Sequence, residues 1–458
     1  MESKNVLKLS VNAPNLDESG ANKPVITSNM IPIYYDETNA VWRKADKNNS
    51  KEEYKWYDYD NKMWANAVTV TETNRSTYLS ADAGTEISMD DINTMWVWIP
   101  RYTYTYLNTN TPQEIKIKFE NETESSGTIK CTDAIGQTDS NGNLISQTCT
   151  DTATGSLKAG TSTYTHPAFT FGDTELTGLW VGKFESSATT IPTSGSSTTE
   201  STVIIKPKVQ SLRYKAVSYQ FRDARQMEKA NNVYGFPQSS STTFNWNGNL
   251  TGDTNNIDTH MMKNTEWGAV TYLSHSKYGI NKEIAINSQN TYKTGCGPQS
   301  SGSTSSGSTC NAYNTKLGQT ASTTGNAYGV YDMNGGSSEY TMGNMVDSSN
   351  QFYTSGASNW STTTYPLAKY YDSYTFSYDN TPYTRGRLGD ATIEMEPSSS
   401  SKTTWYSDGA GFPNFENSWF RRGGYSGDGT GAGAFQFYYS GGSALSADSF
   451  RVCLGALD

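Results

Sequence analysis

Cysteine spacing gives the first indication of chemistry in this chain. Cys131 and Cys149 flank one polar loop, and Cys296 and Cys310 flank another. Disulfides across such loops restrict the unfolded chain and form in an oxidising compartment. Neither pair has the C-x-x-C spacing of a zinc site. The sequence therefore predicts two disulfides, with four reduced thiols as the alternative, because pairing does not follow from sequence alone.

The other reactive residue types form no catalytic motif. Cys453 lies between two apolar residues near the C-terminus, and we expect it on a buried strand as a small apolar side chain. The chain has three histidines, His166, His260 and His275. His260 precedes two methionines near a predicted helix start, so we expect a structural role for it. A nucleophile elbow, a P-loop and a paired-acid motif are all missing from the sequence, which therefore indicates no particular reaction.

The segment 423–449 has the composition of a recognition surface. It is rich in Tyr, Ser, Gly and Asp, and it contains no Lys, Glu, Met or Trp. Tyr provides a large rigid contact area at a small entropic cost, while Ser and Gly adapt to a partner. We expect a ligand to contact this segment, with a Gly-rich loop packed on the scaffold as the alternative. The candidate contact residues are Tyr425, Ser426, Asp428, Gln436, Tyr438, Tyr439, Ser440, Ser443, Leu445, Ser446 and Asp448.

Strand and turn patterns divide the chain into three parts. Residues 1–26 read as a polar tail, and residues 27–90 as a small β accessory module. In that module, residues 31–35 are a predicted strand, and residues 57–64 are a predicted hairpin with its turn near Asp60-Asn61. Residues 91–458 form the main domain, which contains the candidate binding segment.

Two helices are predicted in the main domain. The segment 211–231 is expected to begin as a strand and to become helical, since its later apolar residues have helical spacing. Thr265 is expected to cap the second helix, with Trp267 and Val270 facing inward. The remainder is mostly long loop, and long loops are commonly functional or disordered.

Motifs near the C-terminus resemble those of the formylglycine-generating-enzyme (sulfatase-modifying factor) family. Residues 328–336 read YGVYDMNGG and resemble its GLYDMxGNVWEW segment, and the later RGG and FR pairs resemble its RGGSW…GFR ending. Weaker matches in the same order extend the resemblance over residues 91–458. They are Met95–Pro100, Phe184-Glu185, Val217–Ala224 and Asn264–Trp267. The residues that carry the two main motifs are Asp332, Asn334, Gly335, Glu339, Arg422, Gly423, Gly424, Phe450 and Arg451.

This resemblance implies an α+β, C-type-lectin-like fold with two helices, short twisted sheets and long loops. The family's enzymes bind copper through two cysteines before the final GFR, and residues 425–449 contain none. Related iron enzymes use a histidine motif that this sequence lacks. We therefore expect no enzyme and no cofactor. Glu339 and Asn334 are expected in a buried polar network, with a structural calcium ion as the alternative. Arg422 and Arg451 are expected to satisfy buried carbonyls or a carboxylate.

The same scaffold also carries ligand-binding variable proteins that retroelements diversify in phages and bacteria. The segment 423–449 fits the residue alphabet of adenine-randomised codons and lies between the two fixed motifs, as such variable regions do. The resemblance implies a surface-displayed recognition or adhesion protein whose partner is a protein or glycan on another cell or host surface. The alternatives are a catalytic member with unrecognised chemistry and a structural assembly protein. Oligomeric state stays open, with a homo-oligomer as one option.

Composition favours an extracellular location. The net charge of −10 argues against a nucleic-acid partner, since phosphate binding needs a basic surface. No apolar run approaches the roughly 20 residues of a membrane span. The N-terminal residues contain no secretory apolar segment, so we expect either a targeting segment missing from this sequence or another export route. The expected location is extracellular, on a cell surface or on a phage particle.

Overall fold

A computed structural model describes residues 17–27, 29–237, 257–349, 351–353, 360, 365–381, 383–398 and 401–456. Its α-helices are α1 (Glu72–Ser80), α2 (Val217–Arg225) and α3 (Asn264–Ser274). Its strands are β1 (Ile31–Asp36), β2 (Val41–Lys44), β3 (Asn66–Val70), β4 (Ile92–Pro100), β5 (Tyr102–Thr105), β6 (Ile117–Phe119), β7 (Ile129–Thr132), β8 (Thr148–Asp151), β9 (Thr163–Thr165), β10 (Thr170–Phe171), β11 (Thr174–Glu175), β12 (Gly178–Gly182), β13 (Ser187–Ala188), β14 (Val203–Ile204), β15 (Ile257–Met261), β16 (Cys296–Gly297), β17 (Asn311–Ala312), β18 (Ser338–Val346), β19 (Asp372–Thr375), β20 (Trp419–Arg422), β21 (Phe437–Ser440), β22 (Asp448–Phe450) and β23 (Val452–Ala456). The described residues therefore contain many strands and three α-helices, which is consistent with the α+β class.

A seven-stranded sheet is the largest in the described residues, with the order β15-β23-β12-β4-β3-β1-β2. Each neighbouring pair in it is antiparallel. Its middle strand, β4, contains the apolar run that resembled the family's opening strand. Trp96 and Val97 on β4 point to opposite faces and are both fully buried, so this sheet is covered by side chains on both faces.

The strands of residues 27–90 belong to this same sheet. β1 pairs with both β2 and β3, and β3 pairs with β4. One hydrophobic cluster extends from Met30 to Ala456. The predicted division at residue 90 therefore does not coincide with a break in the sheet or in its core. The expected hairpin is present as a bridge between Asp58 and Met63.

α1 lies in the segment that was expected to contain only strands. None of its residues is buried, and its sequence, ETNRSTYLS, has no apolar stripe. Periodicity therefore gives no signal for this helix. It lies outside residues 91–458, whose described part contains two α-helices, the number that the resemblance implied for this domain.

α2 and α3 form where the sequence predicted helices, but the residues before each one differ from expectation. The segment that precedes α2 is not a strand, because the N–H groups of Ser211 and Leu212 donate to two separate segments, at Tyr292 and Ser186. Thr265 is not a cap but lies within α3. Its N–H donates to Asp372 at 2.7 Å, so a distant carboxylate binds the first turn of the helix.

A second, five-stranded sheet carries the motif residues. Its order is β19-β18-β20-β21, and β22 also pairs with β18. β18 is buried along its whole length. The candidate binding segment leaves this sheet at the end of β20, passes through β21 and returns as β22.

Both predicted disulfides are present. Cys131–Cys149 joins β7 to β8, and Cys296–Cys310 closes the Ser/Gly-rich loop after β16. Cys453 is buried on β23 and is not in a disulfide, as predicted. Two disulfides are compatible with an extracellular protein. In the described part of the chain, none of the helices has the length and apolar character needed to cross a membrane.

Candidate ligand-binding face

The two sequence motifs meet in a buried ion pair. Arg451 donates from Nε to Glu339 Oε2 at 3.1 Å and from Nη2 to Glu339 Oε1. It also donates to the carbonyl oxygens of Gly182 at 2.8 Å and Tyr331 at 2.9 Å. This places Arg451 at the junction of β12, β18 and β23. It satisfies a carboxylate and two carbonyls, as predicted.

Further buried acids surround this pair. Asp332 accepts hydrogen bonds from the N–H of Gly295 at 2.9 Å and from Asn287 Nδ2 at 2.9 Å. Glu185 accepts from the N–H of Ser337 at 2.8 Å. Burial, together with the charges of Asp332 and Glu339, raises the pKa of Glu185 well above its ordinary value. This shift favours the neutral carboxylic acid form of Glu185, which lowers the charge that the buried network holds.

The geometry around Glu339 and Asn334 matches the buried-network prediction. Both carboxylate oxygens of Glu339 are bound by Arg451. Asn334 donates from Nδ2 to the carbonyl oxygen of Ile284 at 2.7 Å. A calcium ion at this place would have to displace the guanidinium.

Arg422 fixes the point where the binding segment begins. It donates to Asn264 Oδ1 and to the carbonyl oxygen of Asp390, each at 2.8 Å. The next two residues, Gly423 and Gly424, have φ values of +78° and +66°. A side chain at Gly424 would lie 2.6 Å from the backbone of Ala432, so only glycine fits there. The segment is thus anchored by a buried arginine at each of its two ends.

Solvent exposure separates the predicted contact residues into two groups. Ser426, Gln436, Ser440 and Asp448 are buried. The partly or fully exposed group, which we call the tyrosine face, consists of Tyr425, Asp428, Tyr438, Tyr439, Ser443, Leu445 and Ser446.

The buried group supports the exposed one. Ser440 Oγ lies 2.8 Å from the hydroxyl oxygen of Tyr340, which also donates to the carbonyl oxygen of Ser443 at 3.1 Å. Asp448 accepts from Arg421 Nη1 at 3.2 Å. These four residues cannot reach a ligand directly without rearrangement, but they hold β20, β21 and β22 in position.

Two tyrosines form the centre of the tyrosine face. The rings of Tyr438 and Tyr439 stack with centroids 4.5 Å apart and planes at 20°. They lie on β21, an edge strand that pairs only with β20 among the described strands. The Arg421 guanidinium lies 5.9 Å from the Tyr438 ring. The hydrogen bond with Tyr439 raises the pKa of Tyr438, so its hydroxyl stays neutral at physiological pH.

Residues from elsewhere in the chain extend this face. Arg213 donates from Nη1 to the carbonyl oxygen of Ser446, and its guanidinium lies 4.3 Å from the Tyr292 ring. The N–H of Tyr214 donates to the carbonyl oxygen of Leu445 at 3.0 Å. Burial is the main cause of the raised pKa of Tyr292, and Tyr425 adds to it through proximity.

These additional residues were not identified from the sequence. Arg213, Tyr214 and Tyr292 lie far from residues 423–449 in the chain, and no local pattern marks them. The disulfide-closed loop 296–310 also comes close, since a side chain at Gly429 would lie 4.0 Å from the carbonyl oxygen of Thr304. The face therefore combines three separate parts of the chain.

A cavity of about 700 Å³ lies elsewhere, between the Cys131–Cys149 hairpin and the start of α3. None of the predicted contact residues lines it. Its charged side chains include Arg387, which pairs with Asp133 at 2.8 Å, and Lys369, which pairs with Asp258 at 2.8 Å. These ion pairs neutralise two of the cationic side chains in the wall.

Comparisons with known proteins identify no family for this chain. No protein-family profile matches the sequence, and no curated protein is significantly similar to it. The resemblance to the formylglycine-generating-enzyme family therefore rests on the quoted motifs.

Proposed function

We propose that this chain is a non-enzymatic recognition protein with a C-type-lectin-like fold, whose tyrosine face binds a partner. The observation that carries the proposal is the combination of an exposed, Tyr-rich surface with a rigid frame beneath it. Arg422 and Arg451 anchor the two ends of the segment, while the exposed residues between them make few contacts with the core. A fixed frame with adaptable surface residues is the arrangement that antibody paratopes use.

The chemistry of the face favours a protein or glycan partner on another cell or host surface. Stacked tyrosine rings offer a flat apolar area, and their hydroxyls together with Asp428 and Ser446 offer hydrogen bonds around it. Tyr and Arg are the residues in which interface binding energy concentrates. The two disulfides fit exposure outside the cell, on a cell surface or on a phage particle.

The test is a binding comparison between two tyrosine variants. We would apply the labelled protein to a glycan array and to a panel of displayed cell-surface proteins. A Tyr438→Ala/Tyr439→Ala variant should lose about tenfold or more in affinity for any partner that the wild type selects. Tyr378→Ala is the matched control, because Tyr378 is 73% exposed but lies outside residues 423–449.

Equal affinity of the wild type and the double variant would show that the tyrosine face does not bind the partner. An equal loss of affinity in the Tyr378→Ala control would show that any exposed aromatic side chain contributes to binding, and not the tyrosine face in particular. Near-ultraviolet circular dichroism would confirm that both variants keep their tertiary packing.

We further propose that codons of the segment 423–449 are diversified. The observation behind this is that the exposed residues use the amino acids reached from adenine-randomised codons, while the flanking motifs are buried and fixed in their contacts. Sequencing the gene across a population should then show variation confined to codons between Gly424 and Phe450. A uniform segment would refute diversification and leave a binder of fixed specificity.

A further inference from the structure

Three side chains with metal-binding atoms converge where β15, α3 and β23 meet. They are His260, Glu266 and Cys453, and one ligand atom of each lies within 4.8 Å of the others. His260 and Cys453 face each other across the antiparallel pair of β15 and β23. Glu266 lies in the first turn of α3, and His260 Nε2 is 2.9 Å from Glu266 Oε1. All three side chains are buried.

The donor set suits one class of ion. Imidazole nitrogen, carboxylate oxygen and thiolate sulfur are the three donor types that Zn²⁺ accepts, and zinc sites with three protein ligands keep a fourth position for water or substrate. We propose that His260, Glu266 and Cys453 bind a divalent ion of borderline softness, with Zn²⁺ as the best match. The proposed function does not use these residues, because His260 and Cys453 lie on the seven-stranded sheet and Glu266 lies on α3, outside β20, β21 and β22.

Neighbouring groups hold two of the three ligands in a binding orientation. His260 Nδ1 lies 3.2 Å from the carbonyl oxygen of Asp258 and 3.5 Å from Asp258 Oδ1. This contact occupies Nδ1 and leaves Nε2 facing Glu266. The N–H of Lys263 donates to Glu266 Oε2 at 2.8 Å, which leaves Oε1 facing His260. Metal-binding histidines and carboxylates are commonly fixed by such outer contacts.

Asp258 is itself held firmly. It accepts hydrogen bonds from Arg225 Nη1 at 2.5 Å, from Lys369 Nζ at 2.8 Å and from the Tyr370 hydroxyl at 2.9 Å. The His260 ring also stacks on Phe171, with centroids 4.7 Å apart. The Phe171 ring on one face of the imidazole and the fixed Asp258 carboxylate at its edge therefore restrict the orientation of His260.

Binding would exchange an ion for protons. The metal takes the place of the proton between His260 Nε2 and Glu266 Oε1, and the Cys453 thiol loses its proton to become the thiolate ligand. Two protons leave to solvent as one dication enters, so the charge of the buried site does not change. This matters because an uncompensated charge in such a place is strongly unfavourable.

Lys263 connects the cavity beside α3 with this cluster. It lines that cavity of about 700 Å³, and its Nζ lies 3.9 Å from Glu266 Oε1. We therefore place the entry route of the ion at this side chain, which would have to move to admit it.

Cobalt(II) tests the site directly. Two disulfides use four of the five cysteines, so a thiolate-to-cobalt charge-transfer band can arise only from Cys453. We would treat the tag-free folded protein with a chelator, remove the chelator, and titrate it with Co²⁺ and separately with Zn²⁺. The expected results are saturation at one ion per chain, a near-ultraviolet charge-transfer band that Zn²⁺ abolishes, and a higher unfolding temperature with Zn²⁺.

Variants assign the ligands. Cys453→Ser should abolish the charge-transfer band, and Glu266→Gln should weaken Zn²⁺ binding by about tenfold or more. His275→Gln is the matched control, because His275 is also buried but contacts Ser274 and Thr271 instead of carboxylates.

Folded wild-type protein that binds Co²⁺ without the charge-transfer band, or binds neither ion, would overturn the proposal. This result decides the question even if Cys453→Ser fails to fold. Unchanged Zn²⁺ affinity in both the Cys453→Ser and Glu266→Gln variants would also overturn it.

Discussion

The buried pair of Arg451 and Glu339 gives the sharpest test of the scaffold. Neither side chain has any solvent-exposed surface, and the guanidinium serves Glu339 and the carbonyl oxygens of Gly182 and Tyr331. The substitution Arg451→Leu keeps an apolar stem but removes every one of these donors. It leaves a buried carboxylate and two buried carbonyls without their partner.

The size of the effect follows from those losses. Removing one partner of a buried ion pair costs about 3–5 kcal/mol, because the other charge stays in a poorly solvating place. Each carbonyl that loses its donor adds about 1 kcal/mol or more. We therefore expect Arg451→Leu to lower the free energy of unfolding by at least about 4 kcal/mol in mildly alkaline solution, where wild-type Glu339 is charged. Burial already raises the pKa of Glu339, to about 7, and loss of the cation raises it further. The cost should therefore shrink as pH falls and Glu339 is protonated.

A double-mutant cycle measures the coupling. Urea unfolding would be followed for the wild type, Arg451→Leu, Glu339→Leu and the double variant. Replacing both partners with apolar groups removes the uncompensated charge, so the double variant should be at least about 2 kcal/mol more stable than the sum of the single losses predicts. Arg43→Leu is a surface control, since Arg43 and its partner Asp36 are both partly exposed, and its unfolding midpoint should stay close to that of the wild type.

Two results would refute this reasoning. One is an Arg451→Leu protein whose free energy of unfolding is within about 1 kcal/mol of the wild-type value. The other is strict additivity in the double variant. Either would show that Arg451 and Glu339 do not depend on each other for their burial.

Three further predictions concern separate parts of the fold. Burial lowers the pKa of His275 from 6.5 to about 4, so the folded state binds fewer protons than the unfolded state between these values. His275 should therefore contribute a loss of stability of up to about 3 kcal/mol as pH drops through this window, and His275→Gln should lose less stability than the wild type by that amount in pH-dependent unfolding experiments. Replacing Cys296 and Cys310 with Ser should lower stability by about 3 kcal/mol, measured against the wild type by chemical unfolding, and an unchanged midpoint would contradict a role for the cross-link. Gly268→Ala should lower the free energy of unfolding by about 1–3 kcal/mol, because the new methyl group would lie 1.8 Å from the carbonyl oxygen of Gly389. In an exposed helix the same substitution would stabilise the protein by about 1 kcal/mol. A raised melting temperature would contradict this close contact.

Features with a local cause were predictable from the sequence. The cores of α2 and α3 follow from apolar residues at helical spacing. The two disulfides were predicted, with reduced thiols as the alternative, from cysteines that flank polar loops. α1 was missed because its nine residues bury nothing and carry no periodic pattern. This helix therefore depends on other segments of the same protein and not on an apolar stripe of its own.

Features with a distant cause were not predictable. Thr265 has the side chain of a helix cap, but Asp372 binds the first turn of α3 instead, and nothing near Thr265 indicates that carboxylate. Ser440 and Asp448 are residue types that suit a contact surface, but their side chains are hydrogen-bonded to Tyr340 and Arg421 inside the protein. The cluster of His260, Glu266 and Cys453 exists only because β15 and β23 pair across nearly two hundred intervening residues. Such pairings are fixed by the whole fold and leave no trace in a single segment.

The position of β23 has a consequence for how this protein is made. Leu454 pairs with Trp180 on one side and with Thr259 on the other, so β23 closes a gap between two strands that the ribosome releases much earlier. Until residues 452–456 emerge, β12 and β15 each keep an unpaired edge, which can pair with other nascent chains. Substitutions at the exposed positions of the segment 423–449 leave β23 in the chain, whereas a frameshift or stop codon there removes it. If the segment is diversified as proposed, folding would therefore screen the variants, because chains with a disrupted reading frame lack β23 and leave β12 and β15 with unpaired edges.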